Sequence, residues 1–350
     1  MSKNWPGGII SKTPPTVSTS SASGVWTLDQ MEYYLKQGQW PSAPFFYVGI
    51  VTDITSGGAS VATASGDFVV GGQYTPNAVT GTKIVSITSL GTLSWQTGVQ
   101  QTSSPYNYYN ANALTADSSG NIYVSGEAGS SSVSNNFFIA KLNSTGTIQW
   151  AKTYRSTSGA SSYSNGRAVV VDTSGNTYTC GYQYESYSGL QGAFLMKSNS
   201  SGTRQFCIHN YQDTVAYNAR GTALNTDTNA TVYVVGYKPN TNYFWIYAAS
   251  TSSGSSVWRK QFRTASGVQS YGIGAVYSGS SIYACGYYIP TYSIGMLVKY
   301  NTSGILQWQQ RLGSGGSGDE VQWQSVAADS SGNIYCGGTL YFSGTLKGLI

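Results

Sequence analysis

The side chains best suited to contacting a partner in this sequence are tyrosines. Its 350 residues include 29 tyrosines, whereas aspartate and glutamate together number 13 and there is one histidine. A tyrosine ring offers a large amphipathic surface at low entropic cost, and with Ser, Gly and Asn it makes an adaptable recognition surface. The composition therefore favours recognition of a partner molecule.

Some of the tyrosines lie in long, variable stretches that separate the repeated parts of the chain. We expect their rings to form a surface that contacts a glycan or protein receptor. The alternative is that many of these rings pack between neighbouring structural units. The candidates for ligand or receptor binding are Tyr106, Tyr108, Tyr109, Tyr163, Tyr182, Tyr184, Tyr187, Tyr217, Tyr271, Tyr287, Tyr288 and Tyr292.

Side chains that could act as acids, bases or nucleophiles are few and scattered along the sequence. His209 has no nucleophile partner, so a structural role is expected for it. The aspartates of a repeated motif form turns on separate units and cannot converge as an acid/base pair would need to. They are Asp117, Asp172, Asp227 and Asp329. The sequence thus predicts no catalytic residue, and the chain is expected not to be an enzyme.

Metal and cofactor sites are not expected either. A bound Ca²⁺ would need more closely packed oxygen ligands than the turn Asp117-Ser-Ser-Gly-Asn121 provides. The four cysteines include no Cys-x-x-Cys pair, so burial as small hydrophobic side chains is the preferred interpretation.

The elements that must position these side chains come from an internal repeat. The stretch from Asp117 to Gly126, DSSGNIYVSG, recurs in similar form from Asp172, Asp227 and Asp329, with weaker copies near Phe68 and Ile282. The copies follow one another at intervals of 50 to 55 residues. A period near fifty residues is typical of stacked supersecondary units.

One unit of the repeat divides into four short strands. In the second unit these are expected at 113–116, 122–125, 137–142 and 148–154, each bounded by turn residues. Four antiparallel strands with periodic Gly and aromatic positions are the signature of a propeller blade. The small residues at the start of the first strand support this interpretation, because neighbouring blades converge there. They are Ala59, Ala113, Ala168, Ala223 and Ser325.

The repeated motif resembles that of the β-propeller repeat family, in which D-x-S-G-N-I-Y-V-x-G opens each unit. The resemblance covers residues 57–350 and gives almost no information about function. The predicted fold is all-β: a six-bladed β-propeller of four-stranded antiparallel blades over residues 45–350. Blade repeats start near residues 57, 111, 166, 221, 273 and 323.

The sixth blade lacks a fourth strand in this pattern, because the sequence stops inside its third. An open sheet edge invites aggregation. Residues 45–52, FFYVGIVT, form a strong β segment where a fourth strand would precede the first blade. We therefore expect this N-terminal strand to close the propeller. The alternative is that further blades follow the given sequence.

Residues 1–44 lie outside the repeat and read as an extended N-terminal arm with one short helix at about 28–37. Thr27 and Gln30 suit a capping box, and Gly38 suits the C-terminal cap. The helix is too short to bury its apolar stripe alone, so it must dock on another surface.

The arm resembles the N-terminal segment of structural proteins of marine tailed phages, particularly those that infect cyanobacteria. The resemblance rests on residues 3–15 (KNWPGGIISKTPP), 24–30 (GVWTLDQ) and 36–41 (KQGQWP). It implies attachment to other virion proteins through residues 1–44. An arm that only wraps its own domain is the alternative. The residues expected to dock on the virion are Trp5, Trp26, Met31, Tyr34, Leu35 and Trp40.

Composition limits the other partners. Charged residues are only 9% of the chain and its net charge of +5 includes no basic run, so nucleic acid is not expected. No stretch of about 18 apolar residues exists, so no membrane insertion is expected. Such a chain suits an extracellular setting, yet its N-terminus lacks the apolar region of a secretory signal. Assembly into a virus particle would reconcile the two.

The sequence therefore predicts a non-enzymatic phage virion protein. A tail fibre or receptor-binding appendage, homo-oligomeric in the particle, is the leading hypothesis. A capsid or neck decoration or spacer protein is one alternative. An enzyme that degrades surface polysaccharide is another, and the sequence supplies only Glu127 and Glu185 as carboxylates after second strands.

Overall fold

The computed structural model describes residues 56–74, 81–99, 108–130, 133–154, 162–185, 190–210, 218–224, 230–238, 243–263, 268–313, 319–342 and 345–349. Every regular element within these ranges is a β-strand. The arm of residues 1–44, the helix expected at 28–37 and the strand expected at 45–52 lie outside the described residues.

The strands form successive antiparallel sheets in which chain neighbours lie side by side. The first sheet comprises β1 Ser56–Ala62, β2 Phe68–Tyr74, β3 Gly81–Ile87 and β4 Leu93–Val99. The second comprises β5 Tyr108–Ala116, β6 Ile122–Ser130, β7 Val133–Leu142 and β8 Ile148–Tyr154. The third comprises β9 Tyr163–Val171, β10 Thr177–Glu185, β11 Leu190–Ser198 and β12 Arg204–Asn210.

The remaining sheets continue the same order. The fourth comprises β13 Asn218–Leu224, β14 Thr231–Tyr237, β15 Tyr243–Ser250 and β16 Ser256–Arg263. The fifth comprises β17 Gln269–Ser278, β18 Ser281–Ile289, β19 Ile294–Asn301 and β20 Leu306–Leu312. The sixth has three described strands, β21 Asp319–Ala328, β22 Ile334–Phe342 and β23 Thr345–Leu349. The prediction of an all-β chain built from four-stranded antiparallel sheets is confirmed in this part of the chain.

The turn between the first two strands of a sheet is held by its aspartate. In the third sheet, Asp172 accepts hydrogen bonds from the backbone N–H groups of Ser174 and Asn176 at 2.9 and 2.8 Å. Its second oxygen accepts from Asn176 Nδ2 at 2.8 Å and from the Tyr178 hydroxyl at 3.1 Å. Gly175 has φ +77°, a left-handed conformation that glycine adopts without steric cost. The repeated motif is thus a self-contained turn.

The tyrosine of the same motif is buried in the core in the second to fifth sheets, whereas Tyr335 of the sixth sheet is 50% exposed. Tyr123 is fully buried, with the Lys141 ammonium 5.3 Å above its ring centroid and the Trp150 ring 6.4 Å away, edge-on. In the fifth sheet Lys299 and Trp308 hold Tyr283 in a similar way, at 5.3 and 5.9 Å. This stack explains why the aromatic residue recurs near the end of each unit.

The chain divides into two compact units. The larger includes Phe46–Pro239 and Trp245–Lys260, and therefore the first three sheets and most of the fourth. The smaller includes Gln261–Ile350, and therefore the fifth and sixth sheets. Buried aliphatic and aromatic side chains on facing sheets form the core of each: Ile84 with Val124 and Tyr178 with Trp245 in the larger unit, and Cys285 with Val321 in the smaller.

Neighbouring sheets of the larger unit are joined by tryptophan side chains. Trp95 on β4 donates from Nε1 to the Ser144 carbonyl in the second sheet, at 2.9 Å. Trp150 on β8 makes the equivalent bond to Ser200 in the third sheet, also at 2.9 Å. The ring of Trp150 packs on Gly202, where an added Cβ would meet Trp150 Cε3 at 2.8 Å. Both of these seams therefore require a glycine in the turn that receives the tryptophan, Gly146 in the second sheet and Gly202 in the third.

Every first strand carries a β-bulge at the same place. In each case one residue of the first strand has no partner on the second strand, as Asn112 has none between the paired residues Ala111 and Ala113. Bulges re-aim side chains and are frequent beside functional sites. The bulged residues are Gly58, Asn112, Arg167, Arg220, Ile273 and Gln324.

The register corrects one sequence-based assignment. Ala113 pairs with Ser125 and Ala168 with Cys180, two residues after the motif tyrosine in each case. In the fourth sheet Gly221 takes this place by pairing with Val235, whereas Ala223 pairs with Tyr233 itself. The spacing to the turn aspartate did not reveal the shift, because seven residues separate the first two strands of this sheet, against five in the second and third sheets. The position is nonetheless occupied by a small residue.

Candidate functional site

The bulges of the second and third sheets lie beside a compact group of polar side chains. We call this group, formed by Asn112, Glu127, Asn165, Arg167 and Tyr182, the Glu127 cluster. Asn112 is on β5, Glu127 on β6, Asn165 and Arg167 on β9, and Tyr182 on β10. All five belong to the larger unit. The cluster forms because two neighbouring first strands bulge at the same level of their sheets.

Amide groups hold the Glu127 carboxylate. Asn165 Nδ2 donates a short hydrogen bond to Glu127 Oε2, and Asn135 Nδ2 lies 3.4 Å from the same oxygen. Asn112 Nδ2 in turn donates to Asn165 Oδ1 at 2.8 Å and to the Gly166 carbonyl at 3.0 Å. A chain of amides therefore runs from one first strand to the next and ends on a carboxylate, which fixes the position of Glu127 Oε2.

The Arg167 guanidinium supplies the positive charge of the cluster. Its Nη2 donates to the Tyr182 hydroxyl at 3.1 Å, and its centre lies 5.4 Å from the Tyr182 ring centroid. Its Nε is buried and makes no hydrogen bond within the described residues. An arginine so placed can donate to a carboxylate or hydroxyl oxygen of a bound molecule.

Tyrosine rings border the cluster. Tyr163 stacks on Tyr184 with ring centroids 5.2 Å apart and meets Tyr182 edge-on at 6.1 Å. Burial, with smaller contributions from Glu127 and Tyr182, raises the pKa of Tyr108 to about 12. Tyr108 therefore remains a neutral phenol at physiological pH, able to donate a hydrogen bond.

The structure brings together only some of the tyrosines that the sequence singled out. Tyr108, Tyr163, Tyr182 and Tyr184 meet around the cluster, in the larger unit. In the smaller unit Tyr271 and Tyr287 stack on each other with centroids 4.9 Å apart, and Tyr292 is half-buried. The tyrosines that fall outside the described residues are Tyr106, Tyr187 and Tyr217.

Two of the candidate tyrosines lie in the interior of the molecule. Tyr109 is 5% exposed and packs edge-on against Phe138, with centroids 5.4 Å apart. Tyr288 is 8% exposed and lies under the Arg311 guanidinium, 5.6 Å from its ring centroid. Alternation along a strand explains both positions, because successive side chains point to opposite faces of the sheet. The rings of these two tyrosines therefore pack in the interior, as the alternative interpretation of the sequence has it.

Other sequence-based candidates are placed differently. Asp117, Asp172 and Asp329 accept hydrogen bonds from their own turns, as a turn-forming role requires, and Asp227 lies outside the described residues. His209 is exposed, with Nε2 3.4 Å from Cys207 Sγ. The six residues expected to dock on a virion also lie outside the described residues. They are Trp5, Trp26, Met31, Tyr34, Leu35 and Trp40.

Sequence reasoning missed three members of the cluster, Asn112, Asn165 and Arg167. For Asn112 and Arg167 the available signal was the polar residue type at the bulged position, which stands between two small residues in each of these sheets. A bulge cannot be recognised from strand alternation alone, since its presence is a matter of register.

Neither a cluster of metal-ligating side chains nor a membrane-spanning helix is found among the described residues. No group of three or more His, Cys, Asp and Glu side chains converges in the part of the chain that the structure describes. The same residues include no helix that is long and apolar enough to cross a bilayer.

Comparisons with known proteins address the fold. A family model described as the beta-propeller repeat matches residues 307–339. No curated protein sequence matches this chain significantly. Solved structures do match it at low sequence identity, and three of them have a propeller fold.

Three of these structures are glycosidases. A variant of the NanB sialidase from Streptococcus pneumoniae has a TM-score of 0.56 and 10% identity, covering 90% of this chain and 72% of its own. An α-L-arabinanase from Penicillium chrysogenum, complexed with arabinobiose, has a TM-score of 0.53 and 10% identity, covering 86% and 94%. An α-L-arabinofuranosidase from Fusarium graminearum, with an iminosugar inhibitor, has 0.52 and 11%, covering 83% and 91%.

These neighbours correct the expectation that the chain is not an enzyme. That expectation treated the propeller architecture as a support for recognition alone, whereas three glycosidases have a similar architecture. At identities near one tenth the likeness establishes the fold and transfers no residue role. The class of protein shown is thus an all-β, propeller-like chain whose fold is compatible with catalysis.

Proposed function

We propose that this protein acts on a polysaccharide, which it holds at the Glu127 cluster. The observation that carries the proposal is the amide-fixed carboxylate of Glu127 beside Arg167 and a border of tyrosine rings. Amide and guanidinium groups can bond sugar hydroxyls, and aromatic rings offer flat apolar faces to the C–H side of a pyranose or furanose. The glycosidase neighbours make hydrolysis of a glycosidic bond the activity to test first.

The cluster offers groups for such a reaction. Glycoside hydrolysis uses a proton donor or acceptor together with a second carboxylate or, in some enzymes, a tyrosine. We assign the proton-transfer role to Glu127 and place Tyr108, the phenol within its electrostatic reach, as the second group. Arg167 would orient the substrate through a hydroxyl or carboxylate oxygen.

The test compares hydrolysis with binding in the full chain. Wild type and Glu127→Gln are incubated with arabinan, sialylated glycans and cyanobacterial surface polysaccharide, and released reducing ends are measured. We expect hydrolysis of at least one polymer, reduced about 100-fold or more in Glu127→Gln, because general acid/base catalysis contributes that much. Binding in affinity electrophoresis should persist. Asp329→Asn, at a turn of the sixth sheet, is the matched control and should keep activity.

Two outcomes would change the proposal. Full activity in Glu127→Gln would remove the cluster from the reaction. Binding that depends on Arg167 and Tyr182 without any hydrolysis would restrict the cluster to recognition, which is the function of a receptor-binding appendage.

We also propose that the chain works on a phage particle. The support is the sequence of residues 1–44, with its resemblance to arms of marine tailed-phage structural proteins. In this proposal the arm binds other virion proteins, the body homo-oligomerises in the particle, and the cluster meets the host surface. Co-sedimentation of a fluorescent protein fused to residues 1–44 with purified cyanophage particles tests the attachment. A capsid or neck position without host contact is the alternative, and labelled full-length protein that fails to bind host cells would support it.

The finer architecture belongs to the same proposal. Six sheets with a common first-strand bulge support six blades, and the sixth has three described strands. We propose that residues 45–52 supply its fourth strand and close the propeller. Deleting residues 1–44 should then leave the melting temperature nearly unchanged, whereas deleting residues 1–52 should lower it. Equal melting temperatures for the two deletions would contradict closure by this strand.

A further inference from the structure

A cavity of about 320 Å³ lies between the third and fourth sheets, within the larger unit. Its walls come from β11 and β12 on one side and from β14, β15 and β16 on the other. This volume falls in the range of small-molecule sites, which typically combine an apolar lining with a few polar groups. None of its lining residues belongs to the Glu127 cluster.

The cavity exists because the third sheet lacks two aromatic rings that fill the preceding seam. Between the second and third sheets, Phe137 stacks on Tyr154 and on Phe194, with centroids 5.0 and 4.8 Å apart. Strand register places Ala193 at the position of Phe137, and Asn210 at that of Tyr154. The third sheet therefore presents a smaller surface to the fourth.

The hydrogen bond that a tryptophan Nε1 donates in the two preceding seams is also missing between the third and fourth sheets. Phe206 occupies the position of Trp150 and packs on Gly254, whose added Cβ would meet Phe206 Cε2 at 2.9 Å. A phenylalanine ring has no N–H with which to bond the turn carbonyl that tryptophan reaches in the two preceding seams. The missing rings and the missing tryptophan thus occur at the same seam of the larger unit, and they leave an open cavity there.

The lining has an apolar floor and a polar rim. Leu195, Val234 and Trp245 are buried on the floor. Arg259 on β16 and the exposed His209 on β12 contribute to the rim. The described lining residues include an arginine but no aspartate or glutamate. The charge that complements such a rim is negative.

The Tyr247 hydroxyl marks the environment of the rim. It donates to the Gly254 carbonyl at 3.1 Å. Burial raises the pKa of Tyr247, while a hydrogen bond with Ser256 and the charge of Arg259 partly offset that rise. The positive charge of Arg259 is therefore close enough to the Tyr247 hydroxyl to affect its pKa, so both groups lie on the same side of the cavity.

We propose that the cavity binds a small amphipathic anion, a molecule with a ring-containing apolar body and one acidic group. The body packs against Trp245 and Leu195, and the acidic group bonds Arg259. This is a second site, chemically unlike the polar Glu127 cluster, and it does not depend on the polysaccharide activity proposed above.

The test uses two fluorescent probes that differ in charge. 8-Anilinonaphthalene-1-sulfonate carries the anionic group, and N-phenyl-1-naphthylamine has the same rings without it. Both are titrated into the full chain. We expect the sulfonate probe to bind more tightly. Arg259→Gln should weaken the sulfonate probe about tenfold or more and leave the neutral probe unchanged, because a charge-assisted hydrogen bond is lost. Arg204→Gln, on the exposed side of β12, is the matched control.

Two filling variants test the location. Ala193→Phe restores the ring found at the equivalent position of the second sheet, and Ile208→Phe narrows the cavity from β12. Each should abolish binding of both probes while thermal unfolding remains cooperative. The proposal is wrong about the site if a cooperatively folded filling variant binds either probe as wild type does. It is wrong about the ligand class if Arg259→Gln binds the sulfonate probe as tightly as wild type.

Discussion

The turn around Asp172 and the cluster around Glu127 each fix a carboxylate with hydrogen bonds, but only the turn is repeated. The Asp172 pattern recurs at Asp117 and at Asp329, with the same four donors in each case. The donors to Glu127 come from Asn165 on a neighbouring sheet and from Asn135 on the third strand of its own sheet. The position of Glu127 itself carries other residue types in the other sheets, such as Tyr182 in the third. Periodic residues serve the fold, so the polar residues that break the period are the candidates for function.

The largest effect is expected where the repeat requires a glycine. Gly202 has φ +78° and supports the Trp150 ring. Gly202→Ala combines backbone strain with a clash against the indole, and should lower the free energy of unfolding by about 2 to 4 kcal/mol. Chemical denaturation measures it. Gly332→Ala, with φ +83° and no atom near the added Cβ, isolates the strain and should cost about 1 to 2 kcal/mol. Equal losses would show that the ring contact contributes nothing.

The turn aspartate should come next. Asp172 is 7% exposed, and Asp172→Ala leaves the buried Tyr178 hydroxyl and three N–H donors without their acceptor. The expected loss of unfolding free energy is about 2 kcal/mol. Asp329→Ala removes an identical set of bonds at an exposed turn, where water can replace them, so its loss should be smaller. A larger loss at position 329 would contradict the role assigned to burial.

The seam tryptophan offers a smaller and more local change. Trp150→Phe keeps an aromatic ring on Gly202 but removes the hydrogen bond to the Ser200 carbonyl. We expect a loss of about 0.5 to 1.5 kcal/mol in equilibrium denaturation. The variant reproduces the residue type that the third sheet already has at Phe206. If the variant also binds the neutral naphthylamine probe between the second and third sheets, then phenylalanine at this position is sufficient to open a cavity.

Around the Glu127 cluster the expected effect on stability is small and depends on pH. The raised pKa of Tyr108, about 12 against an ordinary value of 10.0, means that the folded state keeps a proton that the unfolded state loses. The stabilisation is fully present below pH 10 and is lost between pH 10 and about 12. Ultraviolet titration of the phenolate should show this pKa, and Glu127→Gln should lower it. An unchanged titration in that variant would place Tyr108 outside the reach of Glu127.

Much of the fold could be read from the sequence because its signals are local. The Asp-x-x-Gly-Asn turns and the motif tyrosines are set by residues within seven positions of one another, as Asp172 to Tyr178 shows. The predicted strands of the second unit fall within β5 to β8. The small residue of the fourth sheet was assigned wrongly. Because the turn of this sheet is longer, Gly221 and not Ala223 pairs with the residue two positions after the motif tyrosine.

The candidate site was predictable only in part, since its partners are distant in sequence. Tyr163, Tyr182 and Tyr184 were expected on one surface, and the structure places them together. The bond between Asn165 and Glu127 joins residues 38 positions apart and depends on two bulges. Nothing in strand alternation specifies such a bond.

The repeat, the turn chemistry and the aromatic residue near the end of each unit follow from the amino-acid sequence, because these features depend on backbone conformation and on contacts inside one sheet. Which polar side chains meet, and which pair of sheets encloses a cavity, depends on how the sheets pack together. The bulge aims Arg167 at Tyr182, and the loss of two rings opposite Trp245 leaves a cavity. Both outcomes depend on how neighbouring sheets pack, and packing is a property of pairs of sheets that a single strand pattern does not contain.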